Sequence, residues 1–318
     1  MANSDFIKKL INAHYNNDQA QFRSAILQIA AAESSAGHSV LAADLKDLAN
    51  KSVSNTHVYA MQNSDSLCTV SMADNREEEL VVSEDVRIRL DRILKEYRER
   101  EKLRSYGLKN RNRILLEGRP GTGKTLTASI LAGELHLPLY QIQMDRLITK
   151  FMGETSAKLR RIFEQINAER GVYLFDEFDA IGADRTYDNE VGEMRRILNT
   201  FLKFMEEDNS DSLILAATNN KKMLDQALFR RFDDVLHYTM PDKEQIQKLF
   251  EIKLSKYYSP ACITPEVMKK ADGLSHAEIT RACEDCIKTM ILDSKSLTPQ
   301  LLTQFLNERT NSYEIKEA

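Results

Sequence analysis

An α/β fold is predicted: a five-stranded parallel sheet covered by helices, then a small all-helical lid domain, with a short helical unit ahead of both. Three observations predict it. Apolar runs near 113–117, 138–144, 171–176, 213–218 and 235–240 alternate with stretches of helical periodicity, as in a parallel sheet buried on both faces. After Pro241 only helical patterns follow. Residues 118–125, Gly-Arg-Pro-Gly-Thr-Gly-Lys-Thr, join the first apolar run to the first helix, the strand–turn–helix setting of a phosphate-binding loop, or P-loop.

Residues 4–50 predict three short helices. Phe6, Ile7, Leu10 and Ile11 share one face, Phe22, Ile26 and Ile29 another, and Leu41, Leu45 and Leu48 a third. Residues 1–50 therefore form an N-terminal helical unit suited to docking a partner or substrate. Its small size gives a marginal core by itself. Residues 51–83 are polar and rich in Ser and Asn and are expected to be a linker, with a short strand at Leu80-Val81-Val82.

A charged helix is expected over 84–105, with Val86, Leu90, Ile93, Leu94 and Tyr97 as its apolar stripe. Asp91 with Lys95 and Glu96 with Arg100 are i,i+4 pairs in the favourable order. Segment 84–113 carries 11 basic and 6 acidic side chains, net +5. A nucleic-acid surface is one reading of that excess; a solvated helix laced with internal ion pairs is favoured.

Helices are expected at 124–135, 156–168 and 191–206 between the strands, completing a large α/β domain over 84–241. A helical domain over 242–310 follows, with helices at 242–256, 265–272, 275–293 and 298–308. Thr264-Pro265 and Thr298-Pro299 read as N-caps followed by proline, and Ser275 with Glu278 as a capping box. Residues 311–318 are expected to be a tail, within a polar and frayed end.

Composition narrows the function classes. The chain has 318 residues, 42% hydrophobic, with a net charge of −4, which gives no global pull toward nucleic acid or anionic membranes. No apolar stretch approaches 18 residues and no signal-peptide pattern opens the chain, so a cytoplasmic protein without a membrane partner is expected. The four cysteines are too few for a disulfide framework. Cys283 and Cys286 lie one turn apart in a helical pattern, where packing is favoured over metal or redox chemistry.

The loop fixes the ligand class. Gly118, Gly121 and Gly123 allow turns that a Cβ would block, and backbone N–H groups then converge on an anion. Pro120, Thr122 and Leu126 complete the cradle. Lys124 brings a positive charge to the β- and γ-phosphates, and Thr125 a hydroxyl to Mg²⁺. The third strand ends Phe175-Asp176-Glu177, delivering two carboxylates to the carboxyl end of a parallel sheet. Asp176 is expected to hold Mg²⁺, and Glu177 to polarise the attacking water. ATP and Mg²⁺ are the expected ligands.

With these motifs in this order, residues 80–295 resemble an ATPase of the AAA family, in the protein-remodelling clade of the AAA+ superfamily. The resemblance implies several further roles. Leu213–Asn219 resembles the strand that carries the sensor asparagine, which makes Asn219 a partner of Glu177 in orienting water. Leu224–Asp233 resembles the second region of homology, which makes Arg230 and Arg231 arginine fingers acting on a neighbouring subunit's nucleotide. Lys150-Phe151-Met152-Gly153 resembles the central-pore loop that grips an extended polypeptide. Gly273–Ile279 resembles the small-domain turn that packs on the nucleotide, with Ala277 at the wall.

Departures are also visible. His276 stands where the family has glycine, Glu79–Ser83 replaces the Asp-Ile-Gly-Gly stretch near adenine, and Arg119 replaces a proline. The resemblance implies a ring-forming homo-oligomer, commonly a hexamer, that remodels or threads a protein substrate. The alternatives are an ATP-controlled regulatory subunit of a partner enzyme such as a protease, and a nucleic-acid motor or loader.

Overall fold

The computed structural model describes residues 26, 28–30, 67–73, 75–148, 152–182, 188–219, 229–294 and 296–314, with the backbone alone for 77, 152, 181–182, 188–195 and 312–314. The chain divides into two compact units, Met1–His57 and Val58–Ala318. In the first, residues 26 and 28–30 are helical; the three helices expected over 4–50 otherwise lie outside the described residues.

In the second unit, six strands form one sheet: β1 (Cys68–Met72), β2 (Arg113–Gly118), β3 (Pro138–Ile142), β4 (Val172–Phe175), β5 (Leu213–Thr218) and β6 (Asp234–Tyr238). Their order is β1-β3-β4-β5-β2-β6. The five expected strands are all present and mutually parallel. The sixth, β1, pairs antiparallel with β3 along the edge, Cys68 opposite Ile142 and Met72 opposite Pro138.

β1 falls inside the segment expected to be a linker. Thr69 and Val70 suit a strand, and Gln143 ties it on, its N–H to the Leu67 carbonyl and its side chain to the Thr69 hydroxyl, each at 2.9 Å. The strand expected at Leu80–Val82 does not form. A 3₁₀ turn at Glu77–Glu79 precedes an irregular segment in which Leu80 and Val82 face one core and Val81 another.

Helices α1 (Glu84–Arg98), α2 (Arg100–Ser105) and α3 (Lys124–Leu135) come first, then α4 (Met144–Leu147), α5 (Met152–Ala168), α6 (Asp179–Gly182) and α7 (Asp188–Glu207). After β6 follow α8 (Lys243–Leu254), α9 (Pro265–Ala271), α10 (His276–Leu292) and α11 (Pro299–Glu314). One sheet face is covered by α5 and α7, where Phe163 stacks on Phe175 and Phe201 meets Phe163, Phe175 and Phe178 edge-to-face or tilted. Truncating a fully buried ring such as Phe201 to alanine would cost about 3–5 kcal/mol. The other face is covered by α1 and α3 through Leu90, Ile93, Ile130 and Leu131. Covered on both sides, every residue of β4 and β5 is buried, which is why both runs are almost wholly apolar.

The expected charge pattern of α1 is revised. Glu96 pairs with Arg111 rather than Arg100, whose guanidinium lies over Tyr97 and 3.7 Å from Asp211. Arg89 bridges Asp85 and Asp234, Arg98 meets Glu134, and Arg104 meets Glu101 and Asp211. The basic excess of 84–113 is thus largely tied to carboxylates of the same chain.

Helices α8 to α11 share a separate core that includes Phe250, Ile279, Leu302 and Leu306. The expected starts are present: Thr264 and Thr298 cap α9 and α11, and Ser275 with Glu278 forms a capping box on α10. Asp242 and Gln245 make a second box on α8. The last described helix, α11, runs to Glu314, and Arg309 pairs with Asp285. Cys283 and Cys286 are buried in this core, where burial pushes their thiols up to about 12 and about 11.

Candidate active site

The strand order builds the site. β5 lies between β4 and β2, so the carboxyl ends of these three neighbours open on one edge. From β2 comes the phosphate loop, from β4 the Asp176-Glu177 pair, and from β5 Asn219. The loop is held tightly. Gly118 lies so close to the Tyr238 backbone that a Cβ would come within 2.4 Å of its carbonyl oxygen. Gly121 and Gly123 have φ of 75° and 103°, in the left-handed region. Thr122 donates to the Arg119 carbonyl at 2.7 Å. Thr127 ties α3 back to Gly123 and accepts a buried 2.7 Å bond from the Tyr238 hydroxyl. Leu126 is half-buried against the sheet core, while Pro120 is exposed.

Lys124 is buried, and its ammonium donates to three oxygens: the carbonyls of Gly118 at 2.7 Å and Arg119 at 3.0 Å, and the Asn219 side chain at 2.8 Å. Burial pulls its pKa below the usual lysine value, opposed by the charges of Asp176 and Asp179. Thr125 donates to Asp176 at 2.7 Å, so a hydroxyl and a carboxylate already stand together. These are the hard oxygen donors that Mg²⁺ takes alongside water and phosphate.

Glu177 is exposed and sits at φ 52°, a conformation uncommon for a residue with a side chain. Its own N–H donates to Asp176, and the next residue, Phe178, is fully buried with its N–H on the Ala217 carbonyl at 2.8 Å. The buried ring and the β5 carbonyl hold the turn, which leaves the Glu177 carboxylate in solvent beside the loop. Asp179 accepts from the Asn219 N–H at 3.3 Å. This acidic residue was not singled out from the sequence; the signal was its place three residues after Asp176 on the same turn.

The start of α10 closes the loop's other flank. The Ala277 N–H donates to the Gly121 carbonyl at 3.0 Å, and a Cβ on Gly121 would come within 2.6 Å of the Ser275 hydroxyl and 3.2 Å of the Ala277 side chain. Leu80, from the irregular segment before α1, lies 3.6 Å from the Cβ position of Gly123. Its neighbour Val81 packs into the helical core, so two adjacent residues join the two cores at the site. His276 is 8% exposed here, and neither ring nitrogen has a hydrogen bond of good geometry. Burial lowers its pKa to about 4, while the Val81 backbone and the Asp242 charge pull weakly the other way.

The two arginines lie elsewhere. Asp233 accepts from the N–H groups of Asn112 and Arg113, which open β2, and Phe232 is buried in the sheet core. Arg230 and Arg231 are therefore exposed at the amino end of the strands, with Arg231 paired to Glu206 on α7. A six-residue strand separates them from the chain's own phosphate loop, roughly 20 Å. Of the expected pore loop, Lys150 and Phe151 lie outside the described residues, Met152 has a described backbone only, and Gly153 is exposed with open space around it.

Comparison with known proteins agrees with this architecture. Residues 114–240 match the family model described as "ATPase family associated with various cellular activities (AAA)". The chain is 34% identical to the "Uncharacterized AAA family ATPase y4kL" of Sinorhizobium fredii, over 93% of this chain and 91% of that protein. It is 29% identical, over 75% of its length and 65% of the relative, to a protein of Methanothermobacter thermautotrophicus named as a homolog of a 26S proteasome regulatory subunit. It is 33% identical, over 58% of its length but only 28% of the relative, to the ATP-dependent zinc metalloprotease FtsH of Parabacteroides distasonis. No described helix is long and apolar enough to cross a membrane. Phosphate loop, paired carboxylates, polar strand end and helical closure, together with a relative matched almost end to end, place the chain in the AAA family of ATPases, which bind and hydrolyse ATP.

Proposed function

We propose that copies of this chain assemble into a ring, commonly a hexamer in this family, and that ATP hydrolysis at the seams between copies drives the remodelling of a protein substrate. The observation that carries this reading is the separation of Arg230 and Arg231 from their own phosphate loop by the length of β2. They cannot serve the nucleotide of their own chain, yet they are exposed, next to the buried Phe232 and the hydrogen-bonded Asp233. A neighbour that presents its phosphate loop to this face would receive them.

Within one copy, Lys124 neutralises the phosphates, and Thr125 with Asp176 would hold Mg²⁺, which screens phosphate charge when bound. Glu177 takes up a proton from the attacking water, and Asn219 holds that water's position. Arg230 or Arg231 of the next copy meets the charge that develops on the γ-phosphate, an effect worth about 10³–10⁵ in rate. Domains would divide the work, with 84–241 as the ATPase core, 242–310 as the lid that shifts with nucleotide state, and 1–50 as the docking unit. Lys150-Phe151-Met152-Gly153 would line the pore and grip the polypeptide.

The test mixes subunits. Arg230→Ala and Arg231→Ala proteins are each inactive under this reading, as is Glu177→Gln. Mixing an arginine variant with Glu177→Gln restores part of the ATPase rate if one seam takes its parts from two copies. No recovery at any ratio rejects the shared site. Relatives named for a proteasome regulatory subunit and a protease favour a second reading, an ATP-controlled subunit of a partner protease. Phe151→Ala separates the two: threading fails while basal ATPase persists, whereas a switch tolerates the change. A nucleic-acid motor is disfavoured by the internal pairing of the basic side chains in 84–113.

A further inference from the structure

The two flanks of the phosphate loop are chemically distinct. On one, Lys124 and Thr125 meet Asn219 and Asp176, which marks the reacting end of a bound triphosphate. On the other, Gly121 and Gly123 meet Ser275, Ala277 and Leu80. A nucleotide with its terminal phosphate at the first flank delivers its nucleoside to the second. There stands His276, more than nine-tenths buried, with both ring nitrogens lacking hydrogen bonds of good geometry. Buried polar atoms are overwhelmingly satisfied in native proteins, so a ring nitrogen left without a partner beside the phosphate loop points to a ligand partner.

We infer that His276 is a base-recognition residue, which accepts a hydrogen bond from the exocyclic amine of adenine. A neutral imidazole offers one donor and one acceptor. The Val81 backbone is the polar group already acting on the ring in the sense that favours its N–H, which leaves the second nitrogen as an acceptor. An amine at the 6-position of a purine satisfies that nitrogen. The carbonyl of hypoxanthine or guanine opposes it with a second lone pair. The residue would thus select adenine through a side chain.

The experiment measures equilibrium affinity for ADP, IDP and GDP, which are not turned over, and for pyrophosphate, which has no base. It uses the full chain and the His276→Ala and His276→Leu variants, with melting temperatures recorded alongside. The wild-type chain should prefer ADP to IDP and GDP. His276→Ala should erase about tenfold of that preference, one lost hydrogen bond, with pyrophosphate affinity unchanged within about twofold. Should the alanine protein not fold, His276→Leu fills the same space without polar atoms and the same ratios decide. An unchanged ADP-to-IDP ratio, or an equal loss of ADP and pyrophosphate affinity, overturns the assignment.

Discussion

The ammonium of Lys124 donates a 2.8 Å hydrogen bond to the side-chain oxygen of Asn219, joining the phosphate loop to the end of β5. With the Gly118 and Arg119 carbonyls, that oxygen supplies three acceptors for a buried cation that would otherwise be costly to hold. A γ-phosphate arriving at the loop competes for the same ammonium. Freed from Lys124, Asn219 would become available to the water it is proposed to hold. Under the proposed function, the bond would link occupancy of the loop to the readiness of Asn219.

Lys124→Ala should abolish useful nucleotide binding. Loss of charge-assisted contacts to phosphate lowers ADP affinity by about 100-fold or more. Titration calorimetry checks this. The folded chain should persist, because alanine is a strong helix former at the start of α3 and the change removes a buried charge.

Glu177→Gln should leave ATP affinity nearly intact and slow hydrolysis by about 10²–10⁴. Under the ring proposal, the same variant should run as a larger species with ATP and Mg²⁺ than without, by light scattering after size exclusion. Wild-type turnover would remove Glu177 from the mechanism.

Gly121→Ala should be damaging out of proportion to one methyl group. The new Cβ meets the Ser275 hydroxyl at 2.6 Å, and φ of 75° is unfavourable for alanine. We expect weaker nucleotide binding and a lower melting temperature. Ser275→Gly should relieve the clash only in part, since the left-handed backbone persists and the α10 cap is lost.

Stability should fall on acidification through His276. Its folded pKa of about 4 lies below the usual imidazole value near 6.5. Between these values the unfolded chain binds a proton that the folded chain refuses, so stability drops as pH falls from about 6.5 to about 4 and levels off below. The full span is worth about 3 kcal/mol. His276→Leu should remove this part of the pH dependence, as read by denaturant midpoints at pH 7 and 4.5.

Features encoded locally were legible in the sequence. The parallel strands are short apolar runs between helices, and Ser275 with Glu278 is a three-residue spacing that geometry repeats in the fold. Residues 118–125 carry their turn in their glycines. Pairings between distant residues were not legible: Lys124 and Asn219 are 95 positions apart, and Glu206 reaches Arg231 only because α7 returns beside the segment before β6. β1 escaped notice because an edge strand of five residues needs neither a long apolar run nor strict alternation. Leu80 and Val81 read as a strand because two apolar neighbours look alike in sequence, whether they face one core or two.

β1 also governs what the sheet can do next. By running backward against β3, it covers that strand's edge and itself becomes the border of the sheet, with β3 as its one neighbour among the described residues. That border strand is only five residues long, which limits how far another chain's backbone could extend the ladder.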